Sequence, residues 1–343
     1  MTKQTMQALT FKRYGKSPDV GFLAVPRPTE LKADEILVQV HAVGLNPIDN
    51  MIQTGMFKPV MQFKLPATIG SDLAGVVTQV GSQVTRFKVG DAVFASIFDT
   101  GKGSLAEFAV VSQSAAALKP ANLDFVEAAS IPMVGLTSWQ AMKERADIQP
   151  GQKVFIPAGS GGIGTFAIQL AKYFGATVAT TTSSKNLALV KSLGADEVVD
   201  YTQQDFEKVL QGYDLMLGTV RGEAIEKSVG ILKAGSKIVS LVGPLDKTFA
   251  ETRRLNFVMK WVLKFVFGLM SRKISALAKK HFVSYSFLFV RPDGKQLGDI
   301  STLIEGDKIK PVIDKVYLFP QAKEALDYLA QGRAKGKVVV KLI

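Results

Sequence analysis

The sequence predicts an α/β protein in two parts, a β-rich domain and a doubly wound parallel sheet. From about Met6 to Lys119, short runs such as 35–43 (EILVQVHAV) and 72–80 (DLAGVVTQV) alternate apolar and polar residues between Gly and Pro turns, the pattern of half-buried strands. From Phe125 onward strand-sized and helix-sized segments alternate, which calls for parallel pairing with helices on both faces. Between the first such strand and helix lies a glycine-rich turn, GSGGIG at 159–164.

Taken in order, 6–119 reads as an antiparallel, barrel-like domain, and 127–142 (EAASIPMVGLTSWQAM) as helical. Strands are expected at 153–157, 176–181, 197–201, 213–219, 237–243 and 284–290, with helices between them. The last fifty residues hold a β-like run (310–319), a helix (320–332) and a closing strand (337–343). They are expected to return to the first domain. The division is therefore 1–125 with 294–343, and a nucleotide unit at 126–293 inserted between them, with a cleft between the two.

Gly159, Gly161 and Gly164 carry the G-x-G-x-x-G spacing, with Ser160, Gly162 and Ile163 completing the turn. In a dinucleotide-binding turn the first glycine permits the tight bend, the second lets backbone approach a pyrophosphate, and the third lets helix sit close to strand. Ile163, Phe166, Ala167, Leu170 and Phe174 repeat at helical spacing, so the helix start would aim its N–H groups at phosphate. An NAD-binding unit places an acid about twenty residues further on to hold the ribose 2′-hydroxyl. Here that place holds Thr180, Thr181, Thr182, Ser183, Ser184 and Lys185, hydroxyls and an ammonium that attract a 2′-phosphate. NADPH is expected over NADH. The competing reading is that Ser183 or Ser184 only caps a helix and Lys185 is a solvated surface residue.

The chain has 343 residues, enough for two domains with a sizeable core, and 47% of them are hydrophobic. It has no cysteine and only two histidines, His41 and His281. Disulfides, thiolate catalysis and thiolate–zinc sites are excluded, and a histidine-built metal centre nearly so. The amino terminus has no long apolar run, so a cytoplasmic location is expected. The net charge of +12 is concentrated partly in one segment, which argues against a general polyanion binder.

Several ordered motifs resemble the medium-chain dehydrogenase/reductase superfamily, in its zinc-free quinone oxidoreductase (zeta-crystallin-like) and enone reductase branch. They are GLNPIDNMIQTG (44–55), PATIGSDLAGVVTQVG (66–81), VGDAVFA (89–95), GSLAEFAVV (103–111), EAASIPMVGLTSWQAM (127–142), AGSGGIG (158–164), LGADEVVDY (193–201) and GKVVV (336–340). The resemblance covers nearly the whole length and implies a GroES-like catalytic domain beside the Rossmann cofactor domain. Zinc members of the superfamily place Cys, His and Cys at positions matching Asn46, Ser71 and about Met133, so the resemblance implies a metal-free reductase, frequently a homodimer.

Without a Lewis acid, a suitable substrate polarises itself: an α,β-unsaturated carbonyl or a quinone accepts hydride at carbon and spreads the charge onto a conjugated oxygen. The resemblance makes Asn46 a substrate-facing donor, with Asp49 orienting its loop; an Asx-turn cap and a buried structural carboxylate remain the competing readings. Related quinone reductases often carry Tyr where this chain has Met51, which cannot lend a proton. For the cofactor the resemblance adds Thr137, Tyr201, Leu241, Val242, Gly243, Phe287, Leu288 and Phe289. Two rivals stand beside the NADPH-dependent enone or quinone reductase. One is a non-catalytic NADPH-binding protein acting at a membrane or RNA; the other is a metal-free enoyl thioester reductase.

Residues 251–282 form a basic apolar insert, longer than the family's common connection, with Glu251 its single acid. As a helix, Arg253, Asn256, Lys260 and Lys264 form a polar stripe and Phe257, Trp261 and Phe265 lie in a broad apolar face that has to be covered. About 24 Å of helix is short of the roughly 30 Å hydrocarbon core, so it is not a span. Packing on the substrate cleft or a partner subunit, peripheral membrane contact and, least favoured, nucleic acid are the three destinations.

Overall fold

The computed structural model describes residues 5–58, 61, 63–251 and 257–343. The chain divides into two compact units, Met1–Leu136 with Arg291–Ile343, and Thr137–Val290.

Along the chain, the first unit begins with β1 (Thr5–Phe11), β2 (Val20–Pro26), β3 (Glu35–Leu45), α1 (Pro47–Gln53), β4 (Ala67–Thr68), β5 (Asp72–Val80), β6 (Ala92–Ser96), β7 (Phe108–Ser112), β8 (Ala116–Leu118) and α2 (Phe125–Ala129). The division falls inside α3 (Pro132–Trp139). The second unit follows with β9 (Lys153–Ile156), α4 (Gly162–Tyr173), β10 (Thr177–Thr182), α5 (Leu187–Ser192), β11 (Glu197–Asp200), β12 (Tyr213–Gly218), α6 (Ala224–Ser228), β13 (Leu232–Ser240), α7 (Lys247–Glu251), α8 (Phe257–Met270), α9 (Arg272–Lys280) and β14 (Ser284–Phe287). The first unit is completed by α10 (Gly294–Glu305), β15 (Ile313–Leu318), α11 (Ala322–Ala330) and β16 (Lys337–Lys341).

In the first unit the main sheet runs β15-β16-β3-β5-β6-β8, with β7 also paired to β3, and a small sheet runs β2-β1-β4. β3 is buried along almost its whole length, which explains why its alternation is blurred by apolar residues on both faces. The terminal strand β16 closes antiparallel on β3, with Val338 opposite Leu45. That register sets Lys337 beside Asn46, and a buried polar cluster is built there.

The boundary at 136 lies eleven residues beyond the expected one at 125, because α2 packs on β3 and β5. Ala128 and Ala129 are fully buried, and a Cβ on Gly44 would meet the Ala129 carbonyl at 2.0 Å. Backbone contact this close ties the segment to the first unit.

In the second unit six parallel strands run β11-β10-β9-β12-β13-β14. Strand order reverses between β9 and β12, the switch point at which doubly wound sheets bind ligands. β13 starts earlier than expected, at Leu232, and β14 stops at Phe287. Phe155, Tyr213, Met216, Ile238 and Ile274 are among the residues of one buried core cluster in this unit.

Candidate active site

In the second unit the glycine turn follows β9 directly. Ala158 takes a left-handed φ of 53°, and its N–H donates to Thr181 Oγ1 at 3.1 Å while the Gly159 N–H donates to the Thr181 carbonyl at 3.0 Å. A Cβ on Gly159 would strike Thr180 Oγ1 at 2.1 Å, and one on Gly164 would strike the Ala158 carbonyl at 2.5 Å. Both glycines are therefore demanded by packing. Gly161 differs: a Cβ there would meet only the Ala158 carbonyl, at 3.4 Å. It is also the N-cap of α4, and no side chain caps that helix. An open approach to an uncapped helix start, through Gly161, Gly162 and Ile163, is a cradle for phosphate.

Thr180, Thr181 and Thr182 support this turn from β10. Thr180 Oγ1 donates to the Ile156 carbonyl at 2.6 Å and Thr182 Oγ1 to Ser160 Oγ at 3.1 Å. These hydroxyls are consequently committed inward rather than offered to a 2′-phosphate. Asn186 Nδ2 also donates to Ser160 Oγ, at 3.2 Å. Ser183 is partly buried, and Ser184 and Lys185 are exposed beyond it. One neighbour was not anticipated: Asp200, opposite Thr182 in the register of β10 and β11. It accepts the Ser184 hydroxyl, and Thr202 Oγ1 at 2.7 Å. The Ser184 hydrogen bond, first among its contacts, holds this carboxyl below its usual range. A carboxylate thus does stand at this corner, brought by the third strand rather than the second. Tyr201 follows it, 64% exposed.

At the carboxyl ends of β13 and β14, Ser240 lies opposite Phe287. The Leu241 N–H donates to the Gly218 carbonyl at 2.9 Å, the Gly243 N–H to Ser240 Oγ at 2.8 Å, and the Leu288 N–H to the Ser240 carbonyl at 2.8 Å. Leu241, Val242, Gly243, Phe287, Leu288 and Phe289 are therefore one neighbourhood. Phe249 packs edge-on to Phe287 and Phe289, with centroids at 6.2 and 5.4 Å. Thr137 is buried in α3.

In the first unit α1 begins at Pro47 with Asn46 as its N-cap. The Asn46 N–H donates to Asp49 Oδ2 at 2.8 Å. Its side-chain amide donates to Asp72 Oδ2 at 2.8 Å and Ser71 Oγ at 2.9 Å, with the Gly44 carbonyl at 3.3 Å, and its Oδ1 accepts from Lys337 Nζ. Asp72 Oδ2 also accepts the Met133 N–H at 3.0 Å and lies 3.7 Å from Lys337 Nζ. Asn46, Asp49, Ser71, Asp72 and Lys337 are all buried.

Two buried carboxyls here share one ammonium. Burial raises the Asp49 carboxyl to about 7, with the Asp72 charge adding and the Asn46 N–H and Lys337 opposing. Burial likewise raises Asp72 and lowers Lys337. A cluster of this composition is close to neutral when Asp49 holds a proton.

Residues 32–121 match the family model of the alcohol dehydrogenase GroES-like domain, and 193–340 that of zinc-binding dehydrogenases. The NAD(P)H oxidoreductase RTN4IP1, mitochondrial, of Danio rerio is 35% identical, over 99% of this chain and 92% of its own length. The 2-methylene-furan-3-one reductase of Solanum lycopersicum is 35% identical, over 98% of this chain and 79% of its own. The structure of the quinone oxidoreductase from Coxiella burnetii superposes with a TM-score of 0.84 at 29% identity, covering 99% of this chain and all of the other. The chain belongs to the medium-chain dehydrogenase/reductase family. Within it, the chain falls in the quinone oxidoreductase and enone reductase branch.

The name of the second family model raises the question of zinc. Asn46, Ser71 and Met133 do meet, through the Asn46 amide and the Met133 N–H around Asp72. They offer an amide, a hydroxyl and a thioether where zinc prefers thiolate and imidazole. Lys337 adds a buried ammonium to the same cluster. The residues do not fit the ion. A dinucleotide, by contrast, suits the second unit: the open approach at Gly161 leads to an uncapped helix start, which favours phosphate.

The expectation of Asn46 as a free, substrate-facing donor does not match this geometry. The residue is 3% exposed, and its amide hydrogens serve Ser71 and Asp72. Asp72, Lys337, Asn186 and Asp200 were missed as contributors. The signal for Asp72 and Lys337 was present, as single charges set into the apolar runs around 66–80 and 337–340. Met51 is partly buried in α1. Arg253 and Asn256 of the expected polar stripe lie outside the described residues.

Proposed function

We propose that this protein is an NADPH-dependent reductase of quinones and of the conjugated double bond of α,β-unsaturated carbonyls, working without a metal ion. The observation that carries the reading is the open cradle at Gly161 at the end of a parallel strand; the polar cluster of the first unit, filled by an ammonium and suited to no zinc, agrees with it. The relatives' names agree: one is an NAD(P)H oxidoreductase, one a quinone oxidoreductase, and one reduces a 2-methylene-furan-3-one, in which an alkene is conjugated with a ketone.

When bound, NADPH supplies hydride. The backbone N–H groups of Gly162 and Ile163 hold the pyrophosphate over the open Cα of Gly161, whose own N–H closes the turn on the Ala158 carbonyl, and Ser183, Ser184, Lys185 and Tyr201 meet the 2′-phosphate. Thr137, Leu241 to Gly243 and Phe287 to Phe289 border the nicotinamide end. Asn46 acts as a positioning residue: tied to Asp49, Asp72 and Lys337, it fixes the start of α1 and with it Met51. Met51 brings an apolar, adaptable side chain and no proton, so the proton that completes reduction comes from water.

The test is steady-state oxidation of NADPH and NADH against a panel of simple enones, quinones and simple ketones, before and after chelation. Turnover of enones or quinones with NADPH, undiminished by chelator, is expected. Turnover confined to simple ketones, or abolished by chelation, would reject the reading.

A further inference from the structure

Helix α8 presents its apolar side outward. Phe267 is buried in it, as is Ser271 just beyond its end at the start of α9, Phe267 edge-on to Phe249 with centroids 5.4 Å apart. On the opposite side Phe257, Trp261, Phe265 and Leu269, each four residues from the next, form a ridge exposed by 83, 65, 60 and 55%, with Val262 and Val266 beside it. Trp261 and Phe265 are stacked at 6.3 Å with an interplanar angle of 10°. Lys264 lies at the flank of this ridge and Lys260 toward the covered side. A bare apolar ridge on a helix of this length is covered in use.

The surrounding charge selects what covers it. From Phe257 to Phe282 there are Lys260, Lys264, Arg272, Lys273, Lys279 and Lys280, and neither Asp nor Glu. On α9 Arg272, Lys273, Lys279 and Lys280 are exposed. We propose that α8 and α9 form a docking surface for an anionic phospholipid bilayer. Fourteen residues give about 21 Å of helix, and among the described residues no helix is long and apolar enough to cross a membrane. Such a helix lies in the plane of the interface, with its ridge among the upper acyl chains. Trp261 sits at headgroup depth, and the lysines reach out along their stems to lipid phosphates. Charge opposes a second copy, because a twofold contact sets the basic flanks of the two chains against each other. The apolar ridge would find no partner in nucleic acid, whose outer surface is phosphate.

The chain has two tryptophans, Trp139 and Trp261, so a Trp139→Phe protein reports on Trp261 alone. It is mixed with vesicles of phosphatidylcholine, with or without phosphatidylglycerol, at low and high salt, and both sedimentation and emission are followed. A blue shift with co-sedimentation is expected on the anionic vesicles, weaker by about tenfold at high salt or on zwitterionic lipid. Phe265→Glu with Leu269→Glu abolishes it, while NADPH oxidation with a water-soluble acceptor is unchanged. Protein that stays in the supernatant with unshifted emission at low salt overturns the proposal. So does emission already blue-shifted without lipid, in a dimer that Phe265→Glu converts to monomer, since a second copy then covers the ridge. The readout is lipid binding, so it stands or falls separately from the reductase reading.

Discussion

Lys337 Nζ lies 3.7 Å from Asp72 Oδ2 with both side chains buried, their exposures only 5 and 0%. Two strand starts, those of β5 and β16, far apart in sequence, thereby hold each other and Asn46 in place. Removing the ammonium leaves two buried carboxyls with no opposite charge, and breaking a buried pair in this way costs about 3–5 kcal/mol. Lys337→Met is expected to lower the urea midpoint by that measure, and Asp72→Asn added to it to recover part of the loss. Strict additivity of the two changes would show the pair to be uncoupled.

Asp49 gives a pH dependence. Its folded carboxyl titrates near 7 and its unfolded one near an ordinary value of about 3.9. The folded state therefore holds more protons between these limits, and stability is greatest below them and falls as pH rises through 7. Asp72, raised by burial, acts in the same direction. The wild type is expected to lose roughly 2–4 kcal/mol between pH 5 and 8, and Asp49→Asn to flatten that slope while keeping the acceptor for the Asn46 N–H. Parallel stability curves for the two proteins would contradict the assignment.

The three glycines of the turn are expected to separate. Gly159→Ala and Gly164→Ala each force a Cβ into atoms at 2.1 and 2.5 Å, so both lower the melting temperature. Gly161→Ala meets nothing closer than 3.4 Å, so it leaves melting within a degree or two and weakens NADPH binding by about tenfold or more. Calorimetry and fluorescence titration distinguish these outcomes.

At the ribose corner two charges oppose each other. Lys185→Ala is expected to lower the ratio of kcat/KM for NADPH over NADH by about tenfold, the scale of one charge-assisted contact. Asp200→Asn raises that ratio, because it removes the negative charge that Ser184 and Thr202 hold there. If neither substitution moves the ratio, the 2′-phosphate is held elsewhere.

Much of this was legible in the chain. The six parallel strands follow from alternation of strand-sized and helix-sized runs, and Gly159, Gly161 and Gly164 announce their turn through spacing. The role of each glycine was less so: Gly159 is required by Thr180, a contact that exists only once β10 lies beside β9. Asp200 was invisible as a neighbour of Ser184 for the same reason, since strand register and not sequence distance pairs it with Thr182. Asn46 was singled out through the resemblance, with its amide assigned to a substrate. Its true partners, Asp72 and Lys337, arrive from β5 and from the terminal strand, and no local pattern connects them. The basic segment showed its composition plainly, but which side of α8 faces outward depends on Phe249 receiving Phe267.

Where the hydride goes is the most direct measurement. The protein, freed of metal by chelation, is given NADPH deuterated at the transferred position together with a simple enone, and the product is read by NMR. Deuterium at the β-carbon of a saturated ketone, at an undiminished rate, is the predicted result. Deuterium at the carbonyl carbon of an allylic alcohol, or activity that returns only with zinc, would contradict the account.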